Sequence, residues 1–300
     1  MTAPRLPALV RLIRRLPGAL RHLASAAVGP AVFRQCLAGQ CPLPAQPTAV
    51  LSFDCDFPAD VRQLPTVAGQ LAAHGLRGSF AVVGQWVERY PAEHRALVMG
   101  GHEIINHTHT HPNLRNDRYD FAAGPEFTER RFASLTAAER RDEIMGCHRA
   151  VAEVMGVVMQ GCRLPHFGNL DPEEIYGLLL EVDYHFSSSE LAVLSPALGA
   201  PYAPRPGLWE IPVTGCPRHP FVAFDTWHCL VKDGGRHSGP GQFRSLLMEA
   251  VSACEERGAL LNLYFDPKDV AANPDFDALL ERLAATPQVR VVTYAELLVG

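Results

Sequence analysis

Two carboxylates one residue apart, Asp54 and Asp56, close an apolar run, and further along the chain reads Asn106-His107-Thr108-His109-Thr110-His111. Together they offer a hard oxygen ligand, two or three imidazoles and a spare carboxylate, the raw material of a metal site that activates water. His107 and His111, four apart on a turn of helix or a tight loop, can turn two imidazoles to one ion at about 2.0–2.1 Å. A carboxylate from a neighbouring strand completes the set and leaves room for water. The Asp-x-Asp spacing puts Asp54 and Asp56 on one face of a strand, so one can bind an ion while the other reaches water. His109 reads as a packing residue. Extended backbone would bring all three histidines to one face, and a turn would not.

The elements around these residues alternate short apolar strands with helical stretches, the pattern of a parallel sheet with helices outside it. Strands are expected at 49–53, 78–83, 103–105, 160–163, 184–187, 208–212, 260–265 and 289–292, and helices over much of 60–74, 136–155, 172–181, 240–257 and 274–285. Seven or eight such units favour a closed barrel over an open sheet. In a barrel, residues at the C-terminal ends of strands converge on one mouth. Asp54, Asp56, His107, His111, Arg163 and Asp266 each follow a strand. The stretch 112–135 lacks periodicity and reads as an insertion at the mouth or as a plain surface loop.

A chain of 300 residues, 47% hydrophobic, suffices for a large buried core. Residues 1–53 carry six arginines and no acidic residue, so the net charge of −5 splits into +6 on the head and −11 on the body. An acidic body argues against nucleic acid as the main partner. Eight cysteines without a Cys-x-x-Cys pair give neither a zinc knuckle nor a redox motif, and so many dispersed thiols favour a reducing, cytoplasmic compartment. No secretory signal pattern and no membrane-spanning apolar run is visible. Arginines alternate with aliphatics over residues 5–24, which suits peripheral contact with the inner face of an anionic membrane; packing on the barrel and an organelle-targeting peptide are the competing readings. Pro42, Pro44 and Pro47 stiffen the connector, dividing the chain into a basic segment, 1–47, and a catalytic domain, 48–300.

Four motifs then arrive in order: Ser52-Phe53-Asp54-Cys55-Asp56, Gly101-His102-Glu103-Ile104-Ile105-Asn106-His107-Thr108-His109-Thr110-His111-Pro112, Gly161-Cys162-Arg163-Leu164-Pro165-His166-Phe167-Gly168, and Leu208-Trp209-Glu210-Ile211-Pro212. Residues 48–300 thereby resemble the polysaccharide deacetylases, the NodB-homology carbohydrate esterases. The resemblance implies a distorted (β/α)7 TIM-like barrel holding one divalent metal ion and hydrolysing N-acetyl groups from amino sugars. It further implies Asp56, His107 and His111 as metal ligands, Asp54 as general base, and Arg163 as the partner that holds Asp54 ionised and aimed. An amide of His166 or Phe167 would stabilise the oxyanion, and Trp209 would line the substrate groove. Zinc is the ion expected by ligand type, with cobalt or nickel also suited.

One position departs from the family pattern. Where the family places a histidine acid in Leu-x-x-His form, this chain has Leu263-Tyr264-Phe265-Asp266. Three outcomes compete: Asp266 is the acid, another group such as His166, His228 or water replaces it, or catalysis is feeble. The expected function is N-acyl removal from an amino sugar in a polysaccharide, oligosaccharide or lipid-linked glycan. The alternatives are a deformylase or other C–N hydrolase of the same fold, and a catalytically impaired, metal-retaining glycan-binding module.

Overall fold

The computed structural model of the chain describes residues 13, 16, 18–37, 46–112, 135–166, 173–231 and 236–299. Seven parallel strands follow one another around a ring: β1 (Thr48–Cys55), β2 (Ser79–Val82), β3 (Glu103–Asn106), β4 (Gly161–Cys162), β5 (Phe186–Ser187), β7 (Leu208–Glu210) and β8 (Leu260–Phe265), which returns to β1. Strand β6 (Tyr202–Arg205) is antiparallel to β7, and β9 (Arg290–Val292) pairs with the N-terminal half of β1. The strand ladder stops between β7 and β8. The chain beyond β7 bridges the gap, with the Thr214 amide donating to the Asn262 carbonyl at 2.9 Å and the Asn262 amide to Thr214 Oγ1 at 3.0 Å. The barrel expected from the alternation is thus present in distorted form, closed on one side by an irregular segment.

Helices fill the crossovers: α1 (Gly18–Leu37) precedes the barrel, α2 (Pro58–Val61) and α3 (Leu64–Ala73) follow β1, and α4 (Gly84–Arg89) and α5 (Pro91–Met99) follow β2. Next come α6 (Ala137–Met155), α7 (Glu173–Glu181), α8 (Gln242–Arg257), α9 (Pro267–Val270), α10 (Pro274–Ala284) and α11 (Tyr294–Val299). Helix α6 begins at a capping box, the Glu139 amide donating to Thr136 Oγ1 at 3.3 Å and the Thr136 amide to Glu139 Oε2 at 2.7 Å. It ends where Gly156 takes φ 70. This helix carries residues that hold the site, so its start and stop signals have a functional consequence.

Alternation along the strands sorts side chains into two cores. Leu51, Phe53 and Cys55 of β1 and Leu261, Leu263 and Phe265 of β8 face the helices, with Phe53 stacked on Phe80 at 4.7 Å. Val50, Ala81, Ile105, Phe186, Ile211, Leu260, Val292 and Tyr294 form a second cluster inside the barrel. Climbing β1 from Val50, the inward positions become Ser52, Asp54 and then Asp56; climbing β8 from Leu260 they become Asn262, Tyr264 and Asp266. An apolar floor therefore gives way to a polar layer and then to the mouth.

The basic head is not separate from the barrel. The C-terminal half of α1 buries Phe33 and Leu37 in the outer core and Val32 and Cys36 against Leu191, Val213 and Tyr264. Packing therefore describes residues 28–37, while Arg5, Arg11, Arg14 and Arg15 lie outside the described residues. Most of the stretch 112–135 also lies outside them, as 113–134. No helix among the described residues is long and apolar enough to cross a membrane.

Candidate active site

Among the described residues one group of three ligand-bearing side chains converges: Asp56, His107 and His111, whose ligand atoms all lie within 4.8 Å of one another. Asp56 Oδ1 is 3.1 Å from His107 Nε2 and 3.4 Å from His111 Nε2. The loop that carries the histidines is neither helix nor strand. Thr108 (φ 68) and His111 (φ 53) take left-handed conformations, which turn the chain sharply enough to aim His107 and His111 at one point. His109 is aimed elsewhere, into a slot between Gly84 and Gly146; a Cβ on Gly84 would lie 2.5 Å from its Nδ1, and one on Gly146 2.9 Å from its Cγ. The packing role expected for His109 is the one it has.

Backbone strain of this kind persists only where the surroundings over-determine it. Here Glu143 of α6 does so: its Oε2 accepts from the amides of His109 at 3.0 Å and Thr110 at 2.8 Å, and its Oε1 from the Thr110 hydroxyl at 2.8 Å. Asn106 adds a second clamp, accepting from the Thr108 amide at 2.8 Å and donating to the Ile144 carbonyl at 2.8 Å. The N-terminus of α4 donates from Gly84 and Gln85 to the carbonyls of Thr108 and His109.

The donor set fits a divalent ion on two observations. The Nδ1 of His107 lies 2.7 Å from the Arg163 carbonyl, a group that only accepts, so Nδ1 carries a proton and Nε2 is the ring atom turned toward Asp56. Asp56 Oδ1 is buried and accepts no hydrogen bond. Two imidazole nitrogens this close to one carboxylate oxygen need a positive charge among them, which a divalent ion supplies when both rings are neutral. Burial acts to raise the Asp56 carboxyl, but His111 and His107 outweigh it and hold it well below the ordinary carboxylate value. For His107, burial acts to lower the imidazole, and Asp54 and Asp56 outweigh it.

Asp54 stands beside this trio, bound by Arg163 Nη1 at 2.6 Å. Arg163 is fully buried. Its Nε donates to the Ser188 carbonyl at 3.0 Å, and its Nη2 to Ser52 Oγ at 2.9 Å, to Ser188 Oγ at 3.2 Å and to the Tyr294 hydroxyl. The polar layer inside the barrel thus serves to fix one guanidinium, and through it one carboxylate. Arg163 thus aims Asp54; burial raises the Asp54 carboxyl, and Arg163 and His107 oppose that rise. A raised carboxylate is a better proton acceptor, because a base works best with its pKa nearer the working pH.

Asp266 follows β8 at the mouth and caps α9. Its amide donates to Thr226 Oγ1 at 3.1 Å, its Oδ2 accepts from Thr226 Oγ1 at 3.4 Å, and Lys268 Nζ is 3.7 Å away. Burial pushes its carboxyl well above the ordinary value; Lys268 opposes this, while Asp60 and Asp56 add to it. His166, with φ 65, lies with its ring 4.9 Å from His111 and its Nε2 3.2 Å from the Pro112 carbonyl. Burial, with His111 beside it, pushes its imidazole down to about 3, so it stays neutral at physiological pH. That removes His166 as a cationic proton donor, although it borders the metal ligands. His228 is held by Asp225, which also accepts from the Tyr264 hydroxyl at 2.8 Å.

Two expected substrate contacts fare differently. Phe167 lies outside the described residues. Trp209 is half-buried and packs against the inner cluster that includes Val50, Ile211, Leu260 and Val292. That is the floor of the barrel rather than its mouth. The strand stagger of a barrel sets β7 low against β1, so an inward side chain at the start of β7 meets the floor. Glu143, Ser52, Ser188 and Tyr294 are the contributors that the sequence reading missed. Ser52 and Asn262 left a signal, each being a polar residue at an inward position of an otherwise apolar strand.

Comparison with known proteins agrees with this geometry. The polysaccharide deacetylase family model matches residues 44–173. Over 68 residues, 23% of this chain, it is 41% identical to a chitooligosaccharide deacetylase of Sinorhizobium fredii, and over 64 residues, 21%, it is 36% identical to a peptidoglycan-N-acetylglucosamine deacetylase of Bacillus cereus. The matches span only 31% and 22% of those two relatives' own length. A polysaccharide deacetylase crystal structure from Mycobacterium smegmatis superposes with a TM-score of 0.64 at 20% identity, covering 87% of this chain and 93% of that one, which shows the barrel fold. The motifs that build the mouth, from Asp54 through Arg163, fall inside the stretch that matches the polysaccharide deacetylase family model.

Proposed function

We propose that the chain is a divalent-metal hydrolase that removes an N-acyl group, acetyl in the simplest case, from an amino sugar of a polysaccharide, oligosaccharide or lipid-linked glycan. The observation that carries this reading is the orphaned Asp56 Oδ1 between His107 and His111, with Asp54 left free of that trio and fixed by Arg163. Asp56, His107 and His111 would hold the ion, with zinc, cobalt or nickel suited to two imidazoles and a carboxylate. A divalent ion supplies Lewis acidity toward an amide carbonyl and makes water nucleophilic near neutral pH.

The residues of the chain do the rest. Asp54 takes the proton of the attacking water, its free oxygen aimed by the Arg163 fork. The Arg163 carbonyl keeps His107 in the tautomer that offers Nε2. Departure of an amine needs a proton donor, and Asp266, at the mouth with its carboxyl pushed well above the ordinary value by burial, is the group placed for that step.

The test is acetate release from N-acetylglucosamine oligomers with zinc, cobalt or nickel restored, using Asp54→Asn as the control. The expected outcome is turnover by the natural chain and a loss of about 10²–10⁴-fold in Asp54→Asn with metal content unchanged. Equal background from both proteins defeats the reading. One observation favours a second reading: Asp266 stands where the family has its histidine acid. A metal-retaining module that grips glycans without cleaving them would show saturable glycan binding and no acetate.

A further inference from the structure

Away from the metal centre, the segment that closes the barrel and the loop that follows it bring two thiols and an imidazole together. Cys216 lies two residues past Thr214, and Cys229 sits in a short π-helical turn, Trp227–Val231. Both are buried, and their side chains lie close enough to act on each other. His237 Nε2 is 3.6 Å from Cys216 Sγ, and the His237 amide donates to the Cys229 carbonyl at 2.8 Å. Cys216, Cys229 and His237 do not bring three ligand atoms within 4.8 Å of one another as Asp56, His107 and His111 do. That leaves thiol chemistry as the property of this cluster. His237, whose ring touches Cys216, is also a wall of a cavity of about 430 Å³ that Ser238, Phe243 and Asp269 line.

We propose that Cys216 and Cys229 are a reversible oxidation site, a nucleophilic thiol and its resolving partner, which takes small-molecule disulfides as its oxidant. Contact with Cys229 and with His237 holds the Cys216 thiol well below its ordinary value, whereas Cys229 is pushed up. The division of labour follows. The Cys216 thiolate attacks one sulfur of a disulfide such as oxidised glutathione, forming a mixed disulfide and releasing one glutathione thiolate. Cys229 then gives its proton to His237 or water and attacks the Cys216 sulfur, releasing the second glutathione. Two protein thiols are oxidised and one external disulfide is reduced to two thiols. The new bond would tie the barrel-closing segment to the turn that follows Asp225 and Thr226, which contact Tyr264 and Asp266. The titratable and charged groups facing the pair are His237, Arg236 and Asp225.

The experiment incubates the full chain with oxidised glutathione, quenches in denaturant with an alkylating agent, and maps the products without reduction. The expected result is loss of two alkylatable thiols out of eight, a cross-linked peptide joining Cys216 to Cys229, and full recovery with dithiothreitol. Cys229→Ser should stop at a glutathione adduct on Cys216. The pH dependence of the rate reports His237: the natural chain keeps reacting below neutral pH, where an ordinary thiol loses about tenfold per unit. His237→Gln should move the onset of that fall upward. Eight free thiols after oxidation, or adducts spread over Cys36, Cys147 and Cys254, overturn the proposal. So does protection of Cys216 and Cys229 that is relieved by a chelator, which would make the cluster a metal site. The readout is thiol content, so it stands apart from whether the chain deacetylates anything.

Discussion

On the β1, β3 and β4 flank of the mouth, partners at 2.6–2.7 Å pin Asp54 and His107, and the groups that pin them are themselves buried. On the β8 flank, Asp266 meets Thr226 at 3.4 Å and Lys268 at 3.7 Å, and the Lys268 side chain is 28% exposed. Short bonds between buried groups leave little freedom in direction, and the longer contacts leave a good deal. The flank that would hold the ion and the base is preorganised by the barrel interior. The flank that would serve the leaving group is held by longer contacts, and it carries Asp266 where the matched family's pattern has a histidine.

The sharpest way to break the contrast is to remove a ligand. His107→Ala should abolish bound metal and lower turnover by about 10³-fold or more, because an ion supplies several kcal/mol of transition-state stabilisation. Elemental analysis and acetate release check this together; metal retained at full stoichiometry would mean that the three groups do not share an ion. Next in size is Arg163→Met. It strands Asp54 and removes the donor shared by Ser52, Ser188 and Tyr294, and breaking one side of a buried pair costs about 3–5 kcal/mol. Chemical denaturation measures it, and a cost under about 1 kcal/mol would put the β1 flank on a par with a surface pair.

A smaller effect isolates the loop. Glu143 touches neither ion nor substrate, so Glu143→Ala should weaken metal binding by about 10–100-fold through the loss of the amide contacts to His109 and Thr110. Glu143→Gln should restore most of it, since the amide oxygen can accept from both N–H groups while the Thr110 hydroxyl reverses to accept from the new amine. Metal titration resolves the two variants; equal losses would show that the charge, and not the clamp, matters.

What could be read in advance follows from the range of the forces involved. Strand β8 emerges over 260–265 as expected, because a six-residue apolar run bounded by helix signals is a local pattern. The trio Asp56, His107 and His111 was legible because ligand chemistry restricts residue type and spacing together. Glu143 was not, since its role depends on packing α6 against a loop more than thirty residues away in sequence. Trp209 was misplaced because a motif gives the neighbours along the chain but not the strand stagger that decides floor or mouth. Strand β6 and helix α4 were missed for want of length, each offering too few residues to display a period.

The smallest expected effect bears on the β8 flank itself. If Asp266 delivers a proton, it must be protonated, so turnover falls as pH rises through its carboxyl value, which burial places well above the ordinary one. Asp266→Asn cannot give up a proton and should lose about tenfold in kcat, near or below the lower end for acid–base groups, together with the alkaline limb of the pH profile. The same shift makes a stability statement. A carboxyl raised on folding contributes stability that is fully present below its unfolded value of about 3.9 and is lost as pH rises through the folded value. In the metal-free protein, Asp266→Asn should therefore match the natural chain at low pH and exceed it in Tm above neutrality. A variant that keeps both the alkaline limb and the natural pH dependence of Tm would assign the proton to another group, and the β8 flank would then be a scaffold for Asp225 and His228 instead.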